Sequence, residues 1–155
     1  MSSQIATASK LIHAPTKEIY NIIADYRNGH SRILPKPYFL SLDVEEGGFG
    51  ARTVVRFQMR LLGQTQNFRS LITEPEPGRV LVETDIHSQI ATTFTVESNG
   101  DDQHAKVTIS TTLKNRNLLE ALIAKNLLQK VYRKELELLA QLVESQPESV
   151  HSNHV

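Results

Sequence analysis

Cysteine is absent from the chain. Disulfides, thiolate nucleophiles and Cys-ligated zinc or iron–sulfur centres are therefore excluded. Long apolar runs are missing too. None approaches the roughly 18–20 residues of a membrane-spanning helix, so no integral membrane segment is expected. Met1 to Lys10 lacks a basic region leading into an apolar run, so no secretory signal is expected. The expected location is cytoplasmic. There is no excess of either charge: 17 basic and 17 acidic residues give zero formal net charge. A dedicated nucleic-acid binder carries a clear basic excess, so nucleic acid is not an expected partner.

Several chemical motifs are missing as well. His13, His30, His87, His104, His151 and His154 form no His-x-x-x-His or His-Glu-x-x-His pattern on a predicted helix. Gly47-Gly48-Phe49-Gly50 lacks the lysine and following helix of a phosphate loop. No Gly-x-Ser-x-Gly elbow occurs. Neither a metal nor a cofactor is expected.

What is present is an order of elements. At 155 residues the chain fits one domain. That domain is expected over residues 1–144, with a polar, disordered tail over 145–155. Ile5 to His13 reads as a strand that ends at Ala14-Pro15-Thr16. Pro15 suits a helix start, and Ile19, Tyr20, Ile22 and Ile23 recur at helical spacing to about Asp25. Tyr26 to Ile33 is a second short helical or irregular piece, stopped by Leu34-Pro35-Lys36-Pro37. Asp25 is placed to cap it.

Six strand-like segments follow. Phe39–Glu45 alternates Leu40, Leu42 and Val44 against polar residues. Thr53–Leu61 carries Val55, Phe57 and Met59 on one face, and Leu62-Gly63-Gln64 closes a hairpin. Asn67–Glu74 places Phe68, Ser70 and Ile72 together. Pro75-Glu76-Pro77-Gly78 turns the chain. Arg79–Ile86 is read with Val80, Val82 and Thr84 on the apolar face. Ile90–Glu97 carries Thr92 and Phe94, and Ala105–Leu113 ends the series. Short hairpin links make these strands antiparallel neighbours, apolar on one side.

A helix from about Asn117 to Val143 supplies the cover. At about 1.5 Å per residue it spans roughly 40 Å. Leu119, Leu122, Ile123, Leu127, Val131, Leu138, Leu139 and Leu142 are its apolar positions. Lys125, Lys130, Arg133 and Lys134, balanced by Glu135 and Glu137, read as a solvated face.

The stretch Ile19-Tyr20-Asn21-Ile22-Ile23-Ala24-Asp25-Tyr26 with Leu34-Pro35 resembles the opening of the START-like, polyketide cyclase/dehydrase and lipid-transport superfamily (SRPBCC). Glu45-Glu46-Gly47-Gly48-Phe49-Gly50, Glu74-Pro75-Glu76-Pro77-Gly78-Arg79 and Tyr132-Arg133-Lys134-Glu135-Leu136 add to the likeness, which spans about Ile5 to Leu142. It implies an α+β helix-grip fold: a seven-stranded antiparallel sheet wrapped around the C-terminal helix, with two short helices after the first strand. It also implies a ligand cavity between sheet and helix. Fold likeness alone assigns no activity.

The expected cavity wall is Val55, Phe57, Met59, Phe68, Ile72, Val82, Thr84, Thr92 and Phe94 from the strands. Leu119, Ile123 and Leu127 join them from the helix. Each also fits plain core packing. His30 near the presumed mouth, Tyr38 and Arg56 are the candidates for chemistry, and Tyr20 is a further hydroxyl. Arg52, Arg56, Arg60 and Arg69 read as an outward basic stripe. A one-residue slip would turn one of them onto a carboxylate ligand.

Three functions fit. The first is binding of a small hydrophobic molecule (lipid, isoprenoid or polyketide-like), with a homodimer left open. Burying about 300 Å² of apolar ligand would give roughly 7 kcal/mol gross, less the costs of association. The second is an aromatase/cyclase-like enzyme on a polyketide-type substrate, which needs an ionisable group in the cavity. The third is a protein-interaction module of co-chaperone type, which needs an exposed apolar patch.

Overall fold

The computed structural model describes residues 4–113 and 117–144. The expected tail over 145–155, with His151 and His154, lies outside the described residues. In chain order the elements are β1 (Gln4–Ile12), α1 (Thr16–Ala24), a 3-10 turn (His30–Ile33), β2 (Phe39–Glu46), β3 (Val54–Leu61), β4 (Gln64–Glu76), β5 (Val80–Asp85), β6 (Ala91–Ser98), β7 (Ala105–Leu113) and α2 (Leu118–Glu144). The strands form one seven-stranded antiparallel sheet in the order β1-β7-β6-β5-β4-β3-β2. This is the architecture that the sequence predicts.

Alternation sets the inner face. In β7, Ala105, Val107, Ile109, Thr111 and Leu113 are buried, while the residues between them are more exposed. β1 turns Ala6, Ala8 and Ile12 inward. Small side chains at Ala6 and Ala8 let a helix come close, and α2 packs along β1, with lighter contacts to β7, α1 and the 3-10 turn. The inner stripe of α2 is Val131, Tyr132, Glu135, Leu136, Leu139, Ala140 and Val143, all buried. β1 is an edge strand with N–H groups to satisfy. Thr7 N donates to Gln129 Oε1 at 3.3 Å, and His13 N donates to Glu144 Oε2 at 2.9 Å. Side chains of α2 therefore take up hydrogen bonds at this edge.

Two expected registers are corrected. A bulge between Phe39 and Ser41 shifts the start of β2, so Leu40 is exposed while Phe39 packs on the core. In β5 the buried residues are Leu81 and Asp85, and Glu83 shares their face. Val82 and Thr84 therefore belong to the opposite face. Hydrophobicity favoured that face because it did not allow for carboxylates on the inner side.

The end of α1 is tied to the loop after β2. Tyr26 N donates to Gly48 O at 2.9 Å, and Gly50 N donates to Ala24 O at 3.0 Å. Glu74 of β4 clasps the same junction. Its Oε2 accepts from the Tyr20 hydroxyl at 2.6 Å and its Oε1 from Ala51 N at 2.7 Å. Burial first, then Glu74, push the Tyr20 hydroxyl well above its ordinary pKa. Asp25 caps the following turn, with its Oδ1 accepting from Asn28 N at 3.1 Å.

Gly50 has φ +64°, and a Cβ there would lie 2.3 Å from Glu74 Oε1. Gly63 in the β3–β4 hairpin has φ +76° with open space around it. Gly63→Ala is expected to cost about 1 kcal/mol, the ordinary penalty of a left-handed residue. Gly50→Ala is expected to cost about 2–3 kcal/mol, because strain and the Glu74 clasp are both affected. Urea unfolding of the two variants checks this. Equal losses would show that the clasp does not constrain the junction.

Candidate functional site

The helix is held at one side of the sheet, and a space remains over the central strands. A cavity of about 310 Å³ lies there. Its apolar wall includes Phe57, Met59 and Leu61 of β3, Phe68 of β4, and Ala124, Leu127 and Leu128 of α2. Phe57 stacks on Phe68 with ring centres 5.0 Å apart. Exposed Leu62, Gln64 and Gln66 of the hairpin also border it. A smaller lobe of about 50 Å³ shares Phe57, Met59, Glu83, Thr92, Leu128 and Tyr132 with the main cavity, and adds His30, Phe94 and Glu135.

Six of the twelve expected wall residues face this space: Phe57, Met59, Phe68, Thr92, Phe94 and Leu127. Val55 and Ile72 are fully buried and pack in the core instead. Val82 and Thr84 are on the other face of β5. Leu119 and Ile123 are 68% and 44% exposed, and Leu122 is 40% exposed. The first turns of α2 turn Ala121 and Ala124 inward, and the larger residues point out. Alanine is a weak mark of an inner face, and its small volume here leaves room for the cavity.

Of the candidates for chemistry, only His30 reaches the site. Tyr38 is half-buried against the core and borders neither lobe. Arg56 lies outside and pairs with Glu45 at 2.9 Å. Arg69 joins the same carboxylate at 2.6 Å, and its hydrogen bond, with the charges of both arginines, holds Glu45 below the usual carboxylate range. This surface network belongs to the expected outward stripe.

His30 is buried and doubly held. Its Nδ1 donates to Ile23 O at 2.7 Å; a carbonyl only accepts, so Nδ1 carries a proton. Nε2 faces Glu83 Oε2 at 3.3 Å. The Tyr26 hydroxyl donates to that same oxygen at 2.6 Å, and the Tyr26 ring stacks on His30 at 4.3 Å. Phe94 meets His30 edge-on at 5.5 Å. Burial, then the Glu83 charge, raise the Tyr26 hydroxyl well above its usual pKa.

A hydroxyl chain runs beside this group. Tyr132 shares a 2.5 Å hydrogen bond with Thr111, which bonds Thr92 at 2.6 Å. Burial pushes the Tyr132 hydroxyl up to about 12, against the pull of Thr111 and Thr92. Asp85 lines the main cavity. Burial opposes its charge, but the N–H groups of Ser88 and Arg69, at 2.8 and 3.1 Å, outweigh that and hold its carboxyl below the usual range.

Glu135 is the residue that the charge pattern of the helix misplaced. Only 3% of it is exposed, so it does not belong to a solvated face. Burial, then the Glu83 charge, raise its carboxyl well above the ordinary pKa. No hydrogen bond or ion pair joins it to another described residue. Every sealed side-chain oxygen among the described residues has a partner, so the Glu135 carboxyl opens on the cavity. Its spacing from Val131, Tyr132 and Leu139, at i, i+3 and i+4 steps, was the available signal. Glu83 and Asp85 were signalled by sharing alternation with Leu81. No group of three or more His, Asp or Glu among the described residues is placed to hold a metal ion. No helix among them is long and apolar enough to cross a membrane.

Solved structures share this architecture. The KanY protein aligns over 93% of this chain and 99% of its own, with TM-score 0.81 and 23% identity. An aromatase/cyclase, Zhui from Streptomyces sp. R1128, aligns over 92% and 94%, with TM-score 0.75 and 15% identity. A START superfamily protein from Mycobacterium smegmatis aligns over 91% and 97%, with TM-score 0.72 and 12% identity. At these identities the likeness is one of fold. No curated protein matches the chain. The family model described as polyketide cyclase / dehydrase and lipid transport matches residues 3–144, and the chain belongs to that family.

Proposed function

We propose that this protein binds a small hydrophobic molecule in the cavity between the sheet and α2, with residues 1–144 acting as one START-like ligand-binding domain. The observation that carries this reading is the cavity itself: about 310 Å³, with Phe57, Met59, Phe68, Leu127 and Leu128 in its wall and polar groups such as Glu83, Asp85, Thr92 and Tyr132 among them. Mostly apolar clefts with a few convergent polar groups are the usual form of small-molecule sites, from roughly 300 Å³ upward. Family membership supports the same reading.

A second reading, acid–base chemistry on the bound molecule, is favoured by one arrangement. Glu83 and Glu135 border the same lobe, and only Glu83 is hydrogen-bonded by the protein. Burial raises the Glu135 carboxyl well above its ordinary pKa, and a carboxyl kept protonated in an apolar site beside a second carboxyl is a common general-acid arrangement. Arg56 and Tyr38 take no part in it.

Leu127→Trp places a large ring in the main cavity from a half-buried helix position. Wild-type protein is expected to bind the neutral fluorescent probe N-phenyl-1-naphthylamine saturably. The variant is expected to bind it at least about tenfold more weakly, roughly 1.4 kcal/mol. Absence of saturable binding, or binding indifferent to the tryptophan, would refute the cavity as the site.

The neutral state of Glu135 has its own test. A carboxyl with a raised native pKa keeps its proton after the unfolded chain has lost it, so native protein binds more protons in that interval. Stability from this residue therefore falls as pH climbs from the ordinary carboxylate value, about 4.3, toward the raised one. Thermal melts at pH 5 and pH 8 are expected to show Glu135→Gln gaining on wild type at the higher pH. A gap that does not change with pH would mean the buried carboxyl is not neutral.

A further inference from the structure

The cavity is lined by acids and by no lysine or arginine. Its titratable wall residues are Glu83 and Asp85 of β5, Glu135 and Tyr132 of α2, and His30 of the 3-10 turn. Two of the three carboxyls are already answered by the protein. Glu83 takes the Tyr26 hydroxyl and faces His30 Nε2. Asp85 takes the N–H groups of Ser88 and Arg69. Glu135 is nine-tenths and more buried, opens on the smaller lobe, and receives nothing.

Resting on the reading of this cavity as a binding site, we infer that its guest carries a basic nitrogen that docks against Glu135, and that molecules ending in a carboxylate are refused. A buried carboxyl without a partner is costly to the fold. An ammonium on an apolar body supplies the missing donor and the missing charge together, and charge-assisted hydrogen bonds are roughly twice as strong as neutral ones. A guest carboxylate would meet the charges of Glu83 and Asp85 with no lysine or arginine in the wall to offset them. Like charges in a low-dielectric site repel strongly.

The groups facing Glu135 fix the proton balance. They are Glu83, His30 and Tyr132 in the shared lobe, with Tyr26 behind Glu83. None is a lysine or arginine that would already hold Glu135 ionised. When the guest arrives as an ammonium, the Glu135 proton leaves to solvent. The carboxylate then accepts from the guest N–H. Binding of an amine is therefore coupled to proton release, and its affinity rises with pH until the free amine itself loses its proton.

The test uses the whole chain and three matched probes on one naphthalene body: 2-(1-naphthyl)ethylamine, 2-(1-naphthyl)ethanol and 1-naphthylacetate. Titration calorimetry at pH 7 is expected to rank the amine at least about tenfold tighter than the alcohol, with the acetate weakest. Repeating the amine titration in buffers of different ionisation enthalpy is expected to show proton release that the alcohol lacks. Glu135→Gln is expected to bring the amine down to the affinity of the alcohol. Should that variant fold poorly, the wild-type ranking and proton release decide the matter alone. An amine no tighter than the alcohol, or an acetate that binds best, would overturn the inference while leaving the cavity reading intact. No binding by any of the three, or by N-phenyl-1-naphthylamine, would overturn both.

Discussion

The structure depends on how α2 is held. Ala6 and Ala8 give β1 a low inner surface, and the helix settles there, with Gln129 and Glu144 taking up N–H groups of Thr7 and His13. A helix anchored to one side of a seven-stranded sheet cannot also fill the ground over β3 and β4. The same helix then turns Ala124 toward that gap, where a leucine would have closed part of it. The cavity thus follows from two sets of small residues: one draws the helix in, and one keeps it from filling the space beneath it.

Buried charge follows from the same geometry. Once the space exists, side chains on β5 and α2 that would otherwise meet packed hydrocarbon meet an opening instead. Glu83 is made tolerable by Tyr26 and His30, and His30 in turn by the carbonyl of Ile23 at the last turn of α1. That carbonyl belongs to the segment locked by Gly48, Gly50 and Glu74. The loop after β2 therefore supports the position of a polar group in the cavity through a chain of direct contacts.

Much of this was legible in the sequence, for definable reasons. Strong alternation in Ala105–Leu113 marked its inner face, because apolar and polar residues there separate cleanly; in Thr53–Leu61 the pattern left the choice of face to the structure, which turns Phe57 and Met59 to the cavity. Gly63 and Gly78 marked the hairpins. The failures in β5 and α2 share one cause. In β5 the face bearing Leu81, Glu83 and Asp85 looked like the solvent side, because a pattern rule counts carboxylates as exposed. In α2 the same rule sent Glu135 outward and drew Leu119 and Ile123 inward. Hydrophobic patterning describes a packed core, and it reads a cavity inside out, since a cavity is where small and polar residues face inward. The β2 bulge is a separate case: a single extra residue puts Phe39, rather than Leu40, on the face of Leu42 and Val44, and nothing local in Phe39-Leu40-Ser41 announces it.

The distribution of polarity within the cavity narrows what the fold can hold. The aromatic and aliphatic wall contributed by Phe57, Phe68 and Leu127 discriminates poorly between apolar bodies, since one methylene more or less changes binding by only about 1–3 kcal/mol. Discrimination has to come from the polar groups, where an unmatched partner is punished far more heavily. Thr92, Thr111 and Tyr132 satisfy one another, and Glu83 and Asp85 are satisfied by their neighbours. Groups already paired contribute little selectivity, because a guest must break a bond to make one. Selectivity then concentrates on Glu135, the carboxyl that the sheet and the helix bury together and leave unanswered.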